Sequence, residues 1–448
     1  MTVRFRRAAT LAGLLAATAA SGFAQEIRFN VVPYRLDNGL KVLTLEDHSV
    51  PAMSYYTFFR VGSRDERPGR TGISHLFEHM MFNGTKKYGP EVFDRTLESK
   101  GGASNAYTTE DITVYYENFP SESLDTVVDL EADRMAGLAL TDESLKRERE
   151  VVKEERRLTT DNDIAGSMFE LLGGAAYLAH PYRWPVIGWP ADLDAITVKD
   201  CDEYFRVHYT PNNATLILVG DFKPDRAIAL ISKAYGSITA QPAPPAVIRD
   251  EPEQQGERRA VLKRAAQLPA VALAYHVPAT SADDVFALDL LQIVLGEGES
   301  SVLTRKLVYE KELATRVEVE NIWRIDPSLF VVYAEAKPGV AIGTLEGALA
   351  AEVESLGRQE VADTALQKAR NIRTTTEVKA LKTNAGKAER LGMFETYFGA
   401  YTRLFTVLKS YEAMTKADLQ KAAARYLRPD NRTVVTLVPA EADGETRP

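Results

Sequence analysis

Two histidines and a glutamate fall within five residues, His75-Leu76-Phe77-Glu78-His79, in a 448-residue chain that has six histidines in all. On a helix of 3.6 residues per turn, side chains four apart lie one above the other, so both imidazoles can reach a single ion. Glu78 stands three residues after His75 and shares that face. A neutral imidazole binds zinc through one nitrogen at about 2.0–2.1 Å, and a catalytic site uses three protein ligands while leaving a fourth position to water. Zinc lowers the pKa of that water to about 7, so a carboxylate placed like Glu78 can take its proton at neutral pH. The pattern H-x-x-E-H therefore reads as two metal ligands and a general base of a hydrolase. Histidines that merely pack in a core or lie on a surface are the competing reading.

Several elements must position these groups. Gly69-Arg70-Thr71-Gly72 can open a helix, and Ile73, Leu76, Phe77, Met80 and Met81 give it apolar faces to bury. A third ligand must come from elsewhere. Glu148, Glu150, Glu154 and Glu155 crowd one predicted helix, Asp142 to Arg157, but a charged helical run is by default a solvated face and composition does not choose among them. Around these lie a hairpin from Tyr34 to Leu45 turning at Asn38-Gly39, a strand from Met53 to Val61, and helices at Pro90–Ser99 and Ser121–Ala136. Further on, strands are expected near Ala260–Leu262 and Ala270–His276, then a helix near Ala282–Leu295.

An internal repeat organises the whole. Thr197-Val-Lys-Asp200 followed by Pro211-Asn-Asn213-Ala-Thr215 recurs 218 residues later as Thr415-Lys-Ala-Asp418 followed by Pro429-Asp-Asn431-Arg-Thr433. Each copy is an amphipathic helix, a turn and an apolar strand, so each half reads as one copy of a single kind of domain. Between them, residues 239–256 are rich in Pro and charge and read as an extended linker.

The composition, 45% apolar and 26% charged, is that of a globular protein of two or three domains. Arg4, Arg6 and Arg7 precede an apolar run from Ala8 to Ala20 and then Gly22-Phe23-Ala24, the layout of a secretory signal removed before Gln25. That predicts a periplasmic or secreted protein with no membrane span in its mature form. Arg6-Arg7 leaves general or twin-arginine export open. Losing these three arginines takes the formal charge from −9 to −12, which disfavours nucleic acid as a partner. The single cysteine, Cys201, has no internal partner for a disulfide and reads as a small buried residue.

Longer blocks carry a resemblance. Ser74 to Lys86, SHLFEHMMFNGTK, is similar to the active-site helix of the pitrilysin-type (M16) metallopeptidases, especially the bacterial relatives of the mitochondrial processing peptidase. Gly101-Gly-Ala-Ser-Asn-Ala-Tyr-Thr108 with Thr113-Val-Tyr-Tyr116 resembles the family's next block, a strand pair beside the metal, and Glu148 to Arg156 resembles the helix that carries the third ligand. The resemblance implies an α+β fold of two homologous domains, each a mixed, mainly antiparallel sheet covered by helices, together forming one side of a peptide-enclosing chamber. It implies one Zn2+ per chain held by His75, His79 and Glu155, with Glu148 supporting a ligand and Glu78 as base; Glu154 stays the alternative ligand. It also implies that substrate backbone adds to an edge strand at Asn105 and Ala106. Phe82 either lines a side-chain pocket or packs in the core. The expected division is a signal at 1–24, a zinc-bearing catalytic domain at 25–238, the linker at 239–256 and an inactive copy at 257–448.

One departure bears on activity. Family members that work alone carry an Arg and, seven residues on, a Tyr in a pattern like L-R-E-K-x-G-L-A-Y, a pair that binds substrate backbone and steadies the tetrahedral intermediate. Here the stretch is Leu307-Val-Tyr-Glu-Lys-Glu-Leu-Ala-Thr315, with Val308 and Thr315 at those places. Val has no donor and Thr is too short to replace a phenol. The favoured expectation is a heterodimer whose homologous partner supplies Arg and Tyr and lacks H-x-x-E-H. The alternatives are a self-sufficient homodimeric peptidase, with Tyr309 or Arg305 compensating, and a non-catalytic structural subunit.

Overall fold

The computed structural model describes residues 27–244 and 250–440, so the expected signal segment lies outside the described residues. The first half carries strands β1 (Val32–Arg35), β2 (Lys41–Glu46), β3 (Ala52–Phe59), β4 (Ala103–Thr108), β5 (Thr113–Pro120) and β6 (Ala214–Gly220). Its helices are α1 (Ile73–Met80), α2 (Val92–Ser99), α3 (Leu124–Ala136), α4 (Asp142–Arg156), α5 (Ile164–Ala176), α6 (Pro190–Ala195), α7 (Val198–His208) and α8 (Pro224–Tyr235). The second half carries β7 (Arg258–Arg264), β8 (Ala270–Val277), β9 (Ala314–Asn321), β10 (Ser328–Ala336) and β11 (Arg432–Pro439). Its helices are α9 (Val285–Gly296), α10 (Ile342–Ser355), α11 (Asp363–Ala380), α12 (Asn384–Tyr397), α13 (Val407–Ala413) and α14 (Lys416–Tyr426).

The hairpin turns where Asn38-Gly39 predicts it: Gly39 adopts φ +88°, and Arg35 pairs with Lys41. The strands form two sheets, ordered β1-β2-β6-β3-β5-β4 and β7-β11-β8-β10-β9. Apart from β1 the two orders are the same. In each, the last strand of the half runs parallel to its first main neighbour (β6 to β2, β11 to β7), and every other pairing is antiparallel. The fold is thus α+β with two mixed, mainly antiparallel sheets.

The repeat has a physical cause. Thr197 and Thr415 cap α7 and α14 by accepting the backbone N–H of Asp200 and Asp418, at 3.2 Å in both, and each carboxylate accepts the N–H of its threonine in return. Asn213 Nδ2 then donates to the carbonyls of His208 (2.8 Å) and Arg60 (3.2 Å); Asn431 Nδ2 does the same to Tyr426 (2.8 Å) and His276 (2.9 Å). The shared Asn ties each helix end to the neighbouring strand.

The halves exchange helices. α5, from the first half, covers β7, β8 and β11, while α12, from the second, lies across β3 and β6. Alternation along β8 explains the first: Ala270, Ala272 and Ala274 offer a low surface on which Met168 and Leu172 of α5 pack, while Val271, Leu273 and Tyr275 face the core of the second half. The second needs Gly392, where an added Cβ would lie 2.1 Å from the ring of Phe58. Gly392→Ala should therefore overpack this contact at a cost of about 1–3 kcal/mol, less roughly 1 kcal/mol of helix propensity gained, and lower the melting temperature; an unchanged or raised melting temperature would contradict this packing account.

The described residues of the expected linker form neither strand nor helix. Glu251 within it accepts the N–H groups of Leu178 and Ala179, both at 2.8 Å, and of His180 at 2.9 Å. Cys201 is buried in the core of the first half, where burial pushes its thiol up to about 12. Among the described residues, no helix is long and apolar enough to cross a membrane.

Candidate metal centre

Helix α1 is anchored by its apolar side. Ile73, Leu76, Phe77 and Met80 are buried, and the Phe77 ring packs against Phe205 and Tyr209. Its start is held by an acid from outside the helix: Glu66, fully enclosed, accepts the N–H groups of Gly72 and Ser74, both at 2.8 Å. These bonds favour the charged carboxylate, yet burial is the larger influence and pushes Glu66 up to about 8. Gly72 has φ +85°, and a Cβ there would meet the Ile187 carbonyl at 2.6 Å. The opposite face of α1 then presents His75, Glu78 and His79 to α4, which Thr141 caps by accepting the N–H of Ser144.

Seven residues, nearly two turns, separate Glu148 from Glu155, so both face α1. Glu155 Oε1 lies 3.6 Å from His75 Nε2 and Oε2 lies 3.4 Å from His79 Nε2. Glu148 Oε2 lies 3.8 Å from His79 Nδ1. Glu154 turns away to pair with Arg157, and Glu150 pairs with Lys153. The structure thus brings together His75, His79 and Glu155, with Glu148 behind His79 and Glu154 outside the cluster.

This donor set fits zinc. Three donors arranged tetrahedrally about an ion at about 2.1 Å stand roughly 3.4 Å apart, and the imidazole-to-carboxylate separations here are 3.4 and 3.6 Å. Among the described residues His, Cys, Asp and Glu form only this one group of three whose donor atoms all lie within 4.8 Å of one another. Burial holds His75 down to about 4, so the ring is neutral at pH 7, and its Nδ1 has no hydrogen-bond partner among the described residues. At His79 burial opposes charge, but the carboxylates of Glu148 and Glu155, at 3.8 and 3.4 Å, outweigh it and lift the ring to about 9. The His79 ring, 3.4 Å away, holds the Glu155 carboxyl below its usual range. A site whose field favours a proton on His79 also favours a cation.

Glu78 leaves the cluster in the direction of β4. Its Oε2 accepts a hydrogen bond from the Thr108 hydroxyl at 2.6 Å, and burial raises its pKa. β4 is the edge of its sheet. On it Asn105 is exposed, and its side-chain oxygen accepts the N–H of Ala106 at 2.8 Å. Two cavities flank the cluster. One, of about 510 Å3, is lined by Glu78, His79, Phe82, Asn105 and Glu148 among others. The other, of about 560 Å3, runs from His75, Thr108 and Glu155 past Phe169 and Trp184 to β9 and β10 of the second half. Phe82 lines the first cavity, and its ring lies under the Arg134 guanidinium and beside Tyr115.

Comparison with known proteins places the chain in a family. Residues 41–188 match the insulinase family, peptidase family M16, and residues 195–373 match the peptidase M16 inactive domain. The zinc protease PqqE of Helicobacter pylori (strain ATCC 700392 / 26695) is 33% identical over 438 residues, covering 95% of this chain and 97% of that protein. The chain belongs to peptidase family M16. The crystal structure of a protease from Helicobacter pylori superposes with a TM-score of 0.88 at 31% identity, covering 92% of this chain and all (100%) of that one. The periplasmic protease PqqL of Escherichia coli shares the fold, with a TM-score of 0.74 at 19% identity, over 93% of this chain but only 48% of its own. This M16 chain therefore spans about half the length of PqqL.

The second half of the M16 fold bears on the missing Arg and Tyr. Glu312 occupies the place of the pattern's Gly and adopts φ +51°, the left-handed conformation a glycine would take without cost. In the expected register Val308 and Thr315 stand at the places of Arg and Tyr. Val308 packs against the core of the second half, and Thr315 donates to Glu335 at 2.8 Å. Tyr309 is 57% exposed and Arg305 pairs with Glu310 at 3.0 Å. Neither lines the two cavities beside the cluster. Sequence reasoning assigned no role to Thr108, Glu66 or Arg324; a hydroxyl at the end of a Gly/Ser/Asn-rich strand was the one available signal for the first, and the other two depend on tertiary contacts.

Proposed function

We propose that this M16 chain is a zinc-dependent metalloendopeptidase cleaving peptides or unfolded segments, with His75, His79 and Glu155 as ligands, Glu148 as the group supporting His79, and Glu78 as general base. The observation that carries the reading is the convergence of both imidazole Nε2 atoms on the two oxygens of Glu155 beside a separately held Glu78. Zinc, when bound, supplies Lewis-acid chemistry, acidifying water and polarising a carbonyl. The chain does the rest. Thr108 engages Oε2 of Glu78, which leaves Oε1 to receive a proton from water, and burial makes that carboxylate a stronger base. Edge strand β4 offers backbone groups to an extended peptide, giving affinity with little side-chain selectivity. Asn105 guards the Ala106 N–H and can swing aside for a substrate carbonyl, while Phe82 borders the pocket for a neighbouring side chain.

The working unit in this reading is a heterodimer. Val308 and Thr315 leave the site without its Arg and Tyr, and the double length of PqqL is consistent with two such units acting together. The partner is a homologous M16-like chain that carries both residues. We take the division as 25–238 and 257–448 joined by 239–256, with the N-terminal signal directing export to the periplasm or beyond.

Chelation tests the metal. Cleavage of an unstructured peptide should fall to background with 1,10-phenanthroline and return with about one equivalent of zinc; cleavage that persists in the chelated protein would sink the reading.

A further inference from the structure

The turn that ends β4, Thr109 to Ile112, is clamped from both halves of the chain. Arg324 Nη2 donates to Glu110 Oε1. Next along the chain, the Ile325 N–H donates to Asp111 Oδ2 at 2.9 Å. The Tyr182 hydroxyl donates to Asp111 Oδ1 at 2.7 Å and accepts the Asp326 N–H at 3.2 Å. From the first half, Arg64 Nη1 lies 3.1 Å from Asp111 Oδ1. Asp111 is 1% and Arg324 7% exposed, with the Arg324 guanidinium 4.4 Å over the Tyr182 ring, while the Glu110 side chain is 24% exposed.

Buried ion pairs contribute little net stability once desolvation is counted, so their effect here is on geometry. The residue immediately before this turn is Thr108, whose hydroxyl holds Glu78. Thr108, Glu110 and Arg324 line the same cavity as His75 and Glu155. A turn free to shift would carry the Thr108 hydroxyl off Glu78, and displacements of about 1 Å at a reacting group can cost up to a hundredfold in rate.

We propose that Arg324 is a positioning residue: by gripping Glu110, with Ile325 on Asp111, it fixes the end of β4 so that Thr108 holds Glu78 for proton transfer. The second half, without the family's Arg and Tyr, thereby still acts on the first half's site, in the same chain. This rests on the peptidase reading above.

The test is a double-mutant cycle in the full chain, Glu110→Ala against Thr108→Ala, with Tyr182→Phe as an independent break in the network. Peptide cleavage, zinc content, melting temperature and hydrogen exchange over residues 103–112 are read in each variant. Glu110→Ala should lower kcat about tenfold with KM within about twofold, keep zinc, lower the melting temperature because the buried Arg324 loses its carboxylate, and speed exchange at Thr109 to Ile112, with kcat read well below the transition. In the Thr108→Ala background the same change should alter kcat less than about twofold, because the route to Glu78 is already cut; with Thr108→Ser, which keeps the hydroxyl, the sensitivity should persist. Effects that multiply in the double variant, or kcat and exchange unmoved in both Glu110→Ala and Tyr182→Phe, would overturn the proposal. A wild-type chain that cleaves no peptide, alone or with a homologous subunit carrying the Arg and Tyr, removes the peptidase reading instead, and unaltered exchange in the two network variants then rejects the clamp on its own.

Discussion

Glu78→Gln should abolish peptide cleavage while leaving zinc bound. The amide has the shape of the carboxylate, and its oxygen can still accept the Thr108 hydroxyl that now meets Oε2 at 2.6 Å. It has no lone pair basic enough to receive a proton from water. General-base catalysis supplies about 10²- to 10⁴-fold, so the rate should fall by at least that much. The donors of the proposed zinc site lie on His75, His79 and Glu155, which the substitution leaves in place. Steady-state cleavage with parallel metal analysis checks both halves of the statement. A variant that keeps more than about a tenth of the activity would show that another group moves the proton.

The second large effect concerns the partner. Purified alone, the chain should cleave peptides slowly, and adding a homologous subunit that carries the Arg and Tyr should raise kcat about 10²- to 10³-fold, the usual worth of a positioned oxyanion donor. The structural reason is local: Val308 has no donor to offer, Thr315 is engaged with Glu335, and Tyr309 and Arg305 lie away from the cavities that border His75, His79 and Glu155. Native mass measurement of the active species, together with its rate, makes the comparison. Full activity in a monomer or homodimer would mean that this chain meets the need for an oxyanion donor in another way.

Much of the fold was legible because local signals and tertiary structure agree. Asn38-Gly39 turns its hairpin, the capping threonines at 197 and 415 start their helices, and the 218-residue repeat is visible because Asn213 and Asn431 make the same two backbone bonds. The exchange of α5 and α12 between the sheets was not legible. Both are helices of ordinary pattern, and what assigns each to the other half's sheet is the low alanine face of β8 and the bare Gly392 above Phe58. The motif itself fixed His75, Glu78 and His79 as a group. Glu155 could be separated from Glu154 and Glu150 only by family register, because four acids on one helix look alike until the orientation of α4 against α1 is known. Arg324 was invisible because it grips a carboxylate on a turn built by the other half, and Glu66 because it accepts the N–H groups six and eight residues on, a spacing that no helix-capping rule encodes.

The proposed metal site can be tested in one measurement, the zinc content of the purified chain by elemental analysis, read beside Glu155→Gln. The account predicts about one zinc per chain in the wild type and a large loss in the variant, since removing a charged ligand leaves two imidazoles to hold a catalytic ion that takes three protein ligands. A wild-type chain without zinc after careful handling, or a Glu155→Gln variant that retains it fully, would contradict the site built from His75, His79 and Glu155.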